Sequence, residues 1–279
     1  MKYVKNAFEL YINSSIHVSL AVVAFTLITY FHNELVPDQN LLLFIFFASI
    51  TGYNFVKYAG IAKLHHLSLA KNLRIIQIFS GFCFIALIYF SFKLKTEVLI
   101  ATGILGLFTL FYAIPVFGGG RNLRSLPGIK IFIIAIVWAG STEVLPLINA
   151  KIYLDTAILV DFLQRLFLII ILTLPFEIRD LNFDNENLAT IPQKLGVFKT
   201  KVFGTFLIFL VFLMELVQKS FTSNEFLALL IVLFVSGLLL WESRENQKKY
   251  YSSFLVEAVP IFYFGIYLVF RYVLPQIPS

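Results

Sequence analysis

An all-α membrane protein crossing the bilayer about nine times is the fold class that this sequence predicts, and three observations carry it. Hydrophobic residues make up 59% of the 279 positions. Charged residues make up only 14%, whereas a soluble domain carries roughly a quarter. Finally, apolar runs long enough to cross a hydrocarbon core recur along the whole chain, separated by short polar breaks. Such a chain cannot cover itself with polar surface. It reads as one transmembrane bundle over 1–279, with no detachable soluble domain.

A crossing helix needs ~20 mostly apolar residues. Windows of that kind lie near 14–31, 40–58, 74–92, 96–114, 128–147, 159–178, 201–218, 225–242 and 255–275. No A-x-A-like cleavage site follows the first of them, so that span is expected to be retained. With nine spans, sixteen of the 22 Lys and Arg residues fall on the N-terminal side of the membrane. Five fall on the other side, and Arg165 lies within a span. Because basic residues are retained in cytoplasmic loops, the bias predicts a cytoplasmic N-terminus and an external C-terminus, as in a bacterial inner membrane. It also accounts for the net charge of +6 without a nucleic-acid partner. The long polar loops near 57–73, 115–128 and 179–200 all fall on the cytoplasmic side, and chemistry is expected there.

The densest polar cluster is LTLPFEIRDLNFDNENLATIPQKLGVFKT, residues 172–200, at the exit of the sixth span. Glu177, Asp180 and Asp184 follow i, i+3, i+7 spacing, which stacks three carboxylates on one helical face. Like charges so placed repel, and they call for open water or for a counter-ion such as Mg²⁺ shared with a phosphate. This segment resembles the second aspartate-rich motif of the UbiA-type membrane prenyltransferase superfamily, a D-x-x-D-x-x-x-D run followed by a T-[LI]-P-x-x-L-G tail. Thr190, Ile191, Pro192, Leu195 and Gly196 match the tail, Arg179 sits between the first two acidic positions, and Glu177 replaces the first aspartate. Residues 111–146 are similar to the same family's fourth-to-fifth span segment, with Tyr112 closing one helix, Arg121 and Arg124 in a basic loop, and Pro127 ahead of the next span.

The resemblance implies a ring of nine helices around a central cavity and transfer of an isoprenyl group from an isoprenoid diphosphate to an aromatic or other lipophilic acceptor. It implies Glu177, Asp180 and Asp184 as catalytic and Mg²⁺-binding residues, with Asn54, Lys57, Tyr112, Arg121, Arg124 and Arg179 on the diphosphate. One departure stands out. The family's first acidic motif, N-D-x-x-D-x-x-x-D at the end of span two, is represented here only by Asn54; its three acidic places fall on Phe55, Tyr58 and Ala62. Two readings follow. Lys57, Lys63, Arg121 and Arg124 can neutralise the diphosphate in place of part of the metal, leaving at most a single Mg²⁺. Alternatively, the bundle has kept its cavity and lost the ionisation chemistry, which leaves a non-catalytic protein that binds a lipid or isoprenoid or stabilises a partner.

Other polar residues in spans read as structural. Glu143, Arg165 and Asp161 lie at similar depths near the outer face and are expected to pair there. Glu215 and Glu257 read as cavity-edge or interfacial groups, His17 as a partner of a neighbouring helix, and His65 and His66 as a solvated pair. Cys83 stands alone, which excludes an internal disulfide. The glycines at 118–120 lack the lysine and Ser/Thr of a phosphate-cradling P-loop, and they read as a hinge. No G-x-S-x-G or H-E-x-x-H motif supports a hydrolase or metalloprotease, and no inverted repeat supports a transporter.

Overall fold

In the computed structural model, the described residues are 2–58, 70–116, 121–153, 155–184, 188–218 and 223–273. Ala62, Lys63, His65, His66 and the glycines at 118–120 lie outside them. The described chain is helical almost throughout: α1 (Lys2–Asn13), α2 (Ile16–His32), α3 (Gln39–Tyr58), α4 (Ala70–Ser91), α5 (Thr96–Ala113), α6 (Lys130–Ala139), α7 (Leu145–Ala150), α8 (Thr156–Asp180), α9 (Ile191–Val217), α10 (Ser223–Glu242) and α11 (Val259–Leu268).

Eight stretches are long and apolar enough to cross a membrane, and a ninth arises from α1 and α2 taken as one bent pair. The bend between them is 57° and sits at Ser15, which adopts φ 64°. A π-helical turn, Gly140–Val144, joins α6 to α7 in one crossing. Two more, Tyr251–Val256 and Val269–Val273, flank α11 in the last. Helix starts follow from local donors and acceptors: Asp38 Oδ1 accepts from Leu41 N at 3.0 Å at the start of α3, and Asp155 Oδ1 accepts from Ile158 N at 3.0 Å at the start of α8.

Neighbours pack in an order that closes on itself. Helix α2 lies against α3, α3 against α4 and α5, α5 against α6 and α7, α6 against α8, α8 against α9, α9 against α10, α10 against α11, and α11 against α2. The apolar interior centres on α8, whose Leu168 to Leu172 run, Leu174 and Ile178 pack with Phe25, Ile131, Leu207 and Val259. The outward faces are apolar too: Ile78, Phe82 and Ile85 of α4 and Ile100, Ile104 and Leu107 of α5 are exposed. A helix apolar on both sides belongs in lipid, where every backbone group must be satisfied inside the segment. The chain is an integral membrane protein.

Hydrogen bonds sort the connections into two ends. At one end, Lys57 and Tyr58 donate to Asn13 O, Asn182 donates to Glu245, Gln247 donates to Pro175 O, and Lys249 Nζ meets Glu9 Oε1 at 3.0 Å. At the other, Asn149 donates to Asp38, Gln218 donates to Asp161, Lys95 donates to Asn149 O, and Arg271 pairs with Glu225. This is the alternation of loops expected from nine crossings.

Candidate functional site

The acidic segment ends α8 at the end of the bundle that carries Asn13, Lys57 and Lys249. The helix stops at Asp180, and Asp184 N folds back to Asp180 O at 2.8 Å. Asp184 therefore sits in the turn after the helix rather than on a continuous carboxylate stripe. The three acids do not face one another across water. Lys130, in the first turn of α6, places Nζ 3.0 Å from Glu177 Oε1 and 2.7 Å from Asp184 Oδ2. Glu177 is almost fully buried, and Lys130 and Asp184 are nearly so. Asp180 turns to its neighbour: Arg179 Nε donates to Oδ1 at 2.7 Å and Arg179 NH2 donates to Oδ2 at 3.2 Å, a two-point grip, while the guanidinium rests over the Phe176 ring at 5.1 Å.

Backbone chemistry sets this arrangement. Gly128, at φ 73°, turns the chain into α6, and its N–H donates to Leu188 O at 2.9 Å. That bond ties the start of α6 to the loop after Asp184. Asn122 and Ser125 cap each other, and Asn122 Nδ2 donates to Ala113 O at 3.1 Å, which folds the preceding loop back on α5. Within the tail, Gln193 Oε1 accepts from Thr190 N at 2.9 Å and Pro192 opens α9. Gly196 then breaks α9 at φ 78°, ψ 163°, a conformation that only glycine adopts readily. The tail is thus a short capped turn with a glycine corner before the span.

The other expected residues divide. Arg121 and Arg124 are exposed at the rim, and Tyr112 is buried within electrostatic range of Arg124, Lys130, Glu177 and Asp184. Lys57 is exposed, donates to Asn13 O at 3.3 Å, and lies within range of Arg179 and Glu257. Asn54 is spent differently: it accepts from Ser15 Oγ at 2.8 Å and donates to Ser14 O at 3.0 Å and Ser80 Oγ at 2.8 Å. Its carboxamide pins the α1–α2 elbow to α3 and α4. On the same rim, the hydrogen bond to Glu9 holds the Lys249 ammonium above its ordinary pKa.

A cavity of about 170 Å³ opens behind the acidic segment, lined by Val18, Ile134, Ile169, Leu172 and Pro260 and by Tyr53, Trp138 and Phe176. Its polar lining comprises Lys130, Thr173, Glu177, Asp180 and Glu257. Trp138 Nε1 donates to Tyr53 OH at 2.5 Å, which fixes one aromatic wall. Glu257 contributes a carboxylate with no hydrogen bond to another side chain among the described residues. A smaller polar cavity at the opposite end holds the expected pair, with Arg165 NH2 3.2 Å from Glu143 Oε2 and Thr29 donating to the same oxygen at 2.8 Å. Asp161 stands apart from that pair and accepts from Gln218 at 2.6 Å.

The acids do not fit a resident Mg²⁺. No group of three or more His, Cys, Asp or Glu side chains among the described residues is placed to hold a metal ion. Lys130 occupies the space between two of the three carboxylates, and Arg179 holds the third. A hard cation takes several oxygen ligands, and the three carboxylates do not offer them together.

Solved structures share this arrangement of helices. A structure described by its work on digeranylgeranylglyceryl phosphate synthase in membranes matches with TM-score 0.59 over 98% of this chain and 100% of that one, at 20% identity. A UbiA homologue from Archaeoglobus fulgidus bound to GPP and Mg²⁺ matches with TM-score 0.58 over 94% and 99%, at 13% identity. A further structure of a UbiA homologue from Archaeoglobus fulgidus matches with TM-score 0.55 over 97% and 99%, at 14% identity. The chain has the UbiA-type fold. No family model matches it, and no curated protein does. The resemblance seen in the acidic motif and its tail is therefore borne out at the level of the fold.

The cavity residues not singled out from the sequence include Tyr53, Lys130, Trp138 and Phe176. Lys130 is one of the 22 Lys and Arg residues of the chain. Its position in the first turn of a span, just after Pro127 and Gly128, is the signal that a lysine there must find a partner, because its ammonium cannot stay in hydrocarbon. Trp138 is one of only two tryptophans, but nothing in its neighbours says which way it faces.

Proposed function

We propose that this protein is an integral membrane prenyltransferase that takes an isoprenoid diphosphate at the mouth formed by α3, α5, α6 and α8, on the cytoplasmic side, and transfers the isoprenyl group to an aromatic or other lipophilic acceptor. The observation that carries the reading is one cavity with an ionic mouth and an apolar, aromatic interior. The diphosphate belongs with the cations at the mouth, and the hydrocarbon belongs with the walls. A fold shared with a UbiA homologue solved with GPP supports it.

The chemistry follows from the lining. Lys57, Arg121, Arg124 and Arg179 hold the diphosphate, and Tyr112 stands behind them as a hydrogen-bond donor. The bond between C1 of the isoprenyl group and the diphosphate oxygen breaks, and its electron pair leaves with the diphosphate, whose growing charge the cations stabilise. The allylic cation left behind faces Tyr53, Trp138 and Phe176, and a desolvated ring of this kind stabilises a cation by up to ~2 kcal/mol. The acceptor's nucleophilic atom then bonds to C1 and releases a proton. Glu257, whose carboxylate lines the cavity, is the base that receives it.

Glu177, Asp180 and Asp184 act here by position. Asp180 aims the Arg179 guanidinium, while Glu177 and Asp184 hold Lys130. The pairing of all three acids favours a second reading as well, a non-catalytic UbiA-type protein that binds an isoprenoid or stabilises a partner. Turnover separates the two. Purified protein in detergent should bind geranyl diphosphate and release pyrophosphate when supplied with a panel of aromatic acceptors. Asp180→Ala should slow release by about tenfold, which corresponds to ~1.4 kcal/mol of transition-state stabilisation. Equal rates in wild type and variant would remove the acidic segment from the active site, and binding without release in any mixture would establish the non-catalytic reading.

A further inference from the structure

We propose that Lys130 is a built-in counter-cation, standing where a divalent metal would neutralise the acidic segment, so that this protein binds isoprenoid diphosphate without Mg²⁺. The inference rests on the functional reading above and concerns how the same mouth handles charge. Three carboxylates beside a diphosphate would repel it. Here Lys130 bridges Glu177 and Asp184 at 3.0 and 2.7 Å, and Arg179 grips Asp180 at 2.7 Å. Two fixed positive charges thus meet three negative ones before any ligand arrives.

The bridge is positioned by the fold rather than by chance reach of a long side chain. Lys130 is anchored by the turn at Gly128, whose N–H is held by Leu188 O just past the acidic loop, so α6 and the acidic segment form one hydrogen-bonded unit. The Lys130 ammonium satisfies two of the carboxylates that a metal would otherwise need to bridge, and the Arg179 guanidinium satisfies the third. The second place from which a metal would draw ligands is empty of acids as well: Phe55 and Tyr58 stand at two of its three acidic positions, and Lys57 brings a positive charge between them. With two of those three negative charges offset, Lys57, Arg121, Arg124 and Arg179 hold the diphosphate oxygens directly.

The experiment measures binding of geranyl diphosphate to the full chain in detergent, once in excess EDTA and once in excess Mg²⁺. Wild type should bind with dissociation constants that agree within about twofold in the two solutions. Binding that weakens tenfold or more in EDTA would overturn the inference alone, because binding in Mg²⁺ upholds the functional reading. Absence of binding in both solutions would overturn that reading and this inference with it. Lys130→Gln releases Glu177 and Asp184, and it should bind about tenfold or more weakly in EDTA and recover in Mg²⁺. An unchanged affinity in EDTA would show that Lys130 does not serve this role. If Lys130→Gln does not yield folded protein, Lys130→Gln combined with Glu177→Gln and Asp184→Asn removes the stranded carboxylates and should bind equally in both solutions; dependence on Mg²⁺ there would also count against the inference.

Discussion

Arg165 carries its charge into the interior near the far end of the bundle, and its surroundings show how a span tolerates that. The guanidinium lies 3.2 Å from Glu143, donates to Phe25 O at 2.9 Å, and stacks over the Phe25 ring at 4.6 Å. Taking away one partner strands the other in a medium that cannot solvate it. Arg165→Met should therefore destabilise the protein by roughly 3–5 kcal/mol, read as a fall in thermal or denaturant midpoint in detergent. Combining it with Glu143→Gln should restore much of the loss, and failure of the double variant to recover would mean that the pair is not the source of the effect. This pair was legible in the sequence because two opposite charges at one depth have few alternatives. Asp161, at a similar depth, was not so constrained and went to Gln218. Lys130 was the harder case, since its partners lie 47 and 54 positions further along the chain and sequence spacing says nothing about them.

Among elements, the spans themselves were readable to within a few residues wherever an apolar run stands alone, as in α3 and α5. The seventh window differed most. Its apolar run begins at 201, yet α9 starts at Ile191 because Thr190, Pro192 and Gln193 build a capped turn ahead of Gly196. The π turns in the fifth and ninth crossings left no pattern to read, since a single added residue in a helical turn does not disturb an apolar run. Where helices touch, small residues set the distance. Gly204 of α9 faces Leu240 of α10 and Leu174 of α8, and a Cβ there would fall 2.3 Å and 2.7 Å from their methyl carbons. Both leucines are fully buried and have little room to yield. Gly204→Val should cost ~1–3 kcal/mol through overpacking, whereas Gly265→Ala on α11, where an added Cβ meets nothing, should leave the unfolding midpoint nearly unchanged. Equal effects of the two would contradict the packing described.

The whole molecule has two ends of different chemistry, and its placement across the membrane can be measured directly. Basic residues crowd the end that holds the acidic segment, which predicts that this end faces the cytoplasm. With Cys83 replaced by serine, a single cysteine at Val36, which is exposed at the far end, should react with a membrane-impermeant maleimide in intact cells. A cysteine at Phe183, exposed beside the acidic turn, should react only after lysis. The reverse pattern would invert the orientation and move the proposed mouth outside.

Hydropathy and charge counting by themselves determined the membrane bundle, the positions of most crossings and the separation of its two ends, because those properties depend on local composition against a fixed bilayer thickness. The acidic motif with its tail determined the fold to which the chain is similar. What only the tertiary structure decided is which charges meet. Glu177 and Asp184 close on Lys130 rather than on each other, Asn54 is consumed by a helix elbow, and Trp138 and Tyr53 make a cavity wall. Those outcomes depend on helices brought together in the ring from distant parts of the chain, and a buried charge must pair with whatever that packing places beside it.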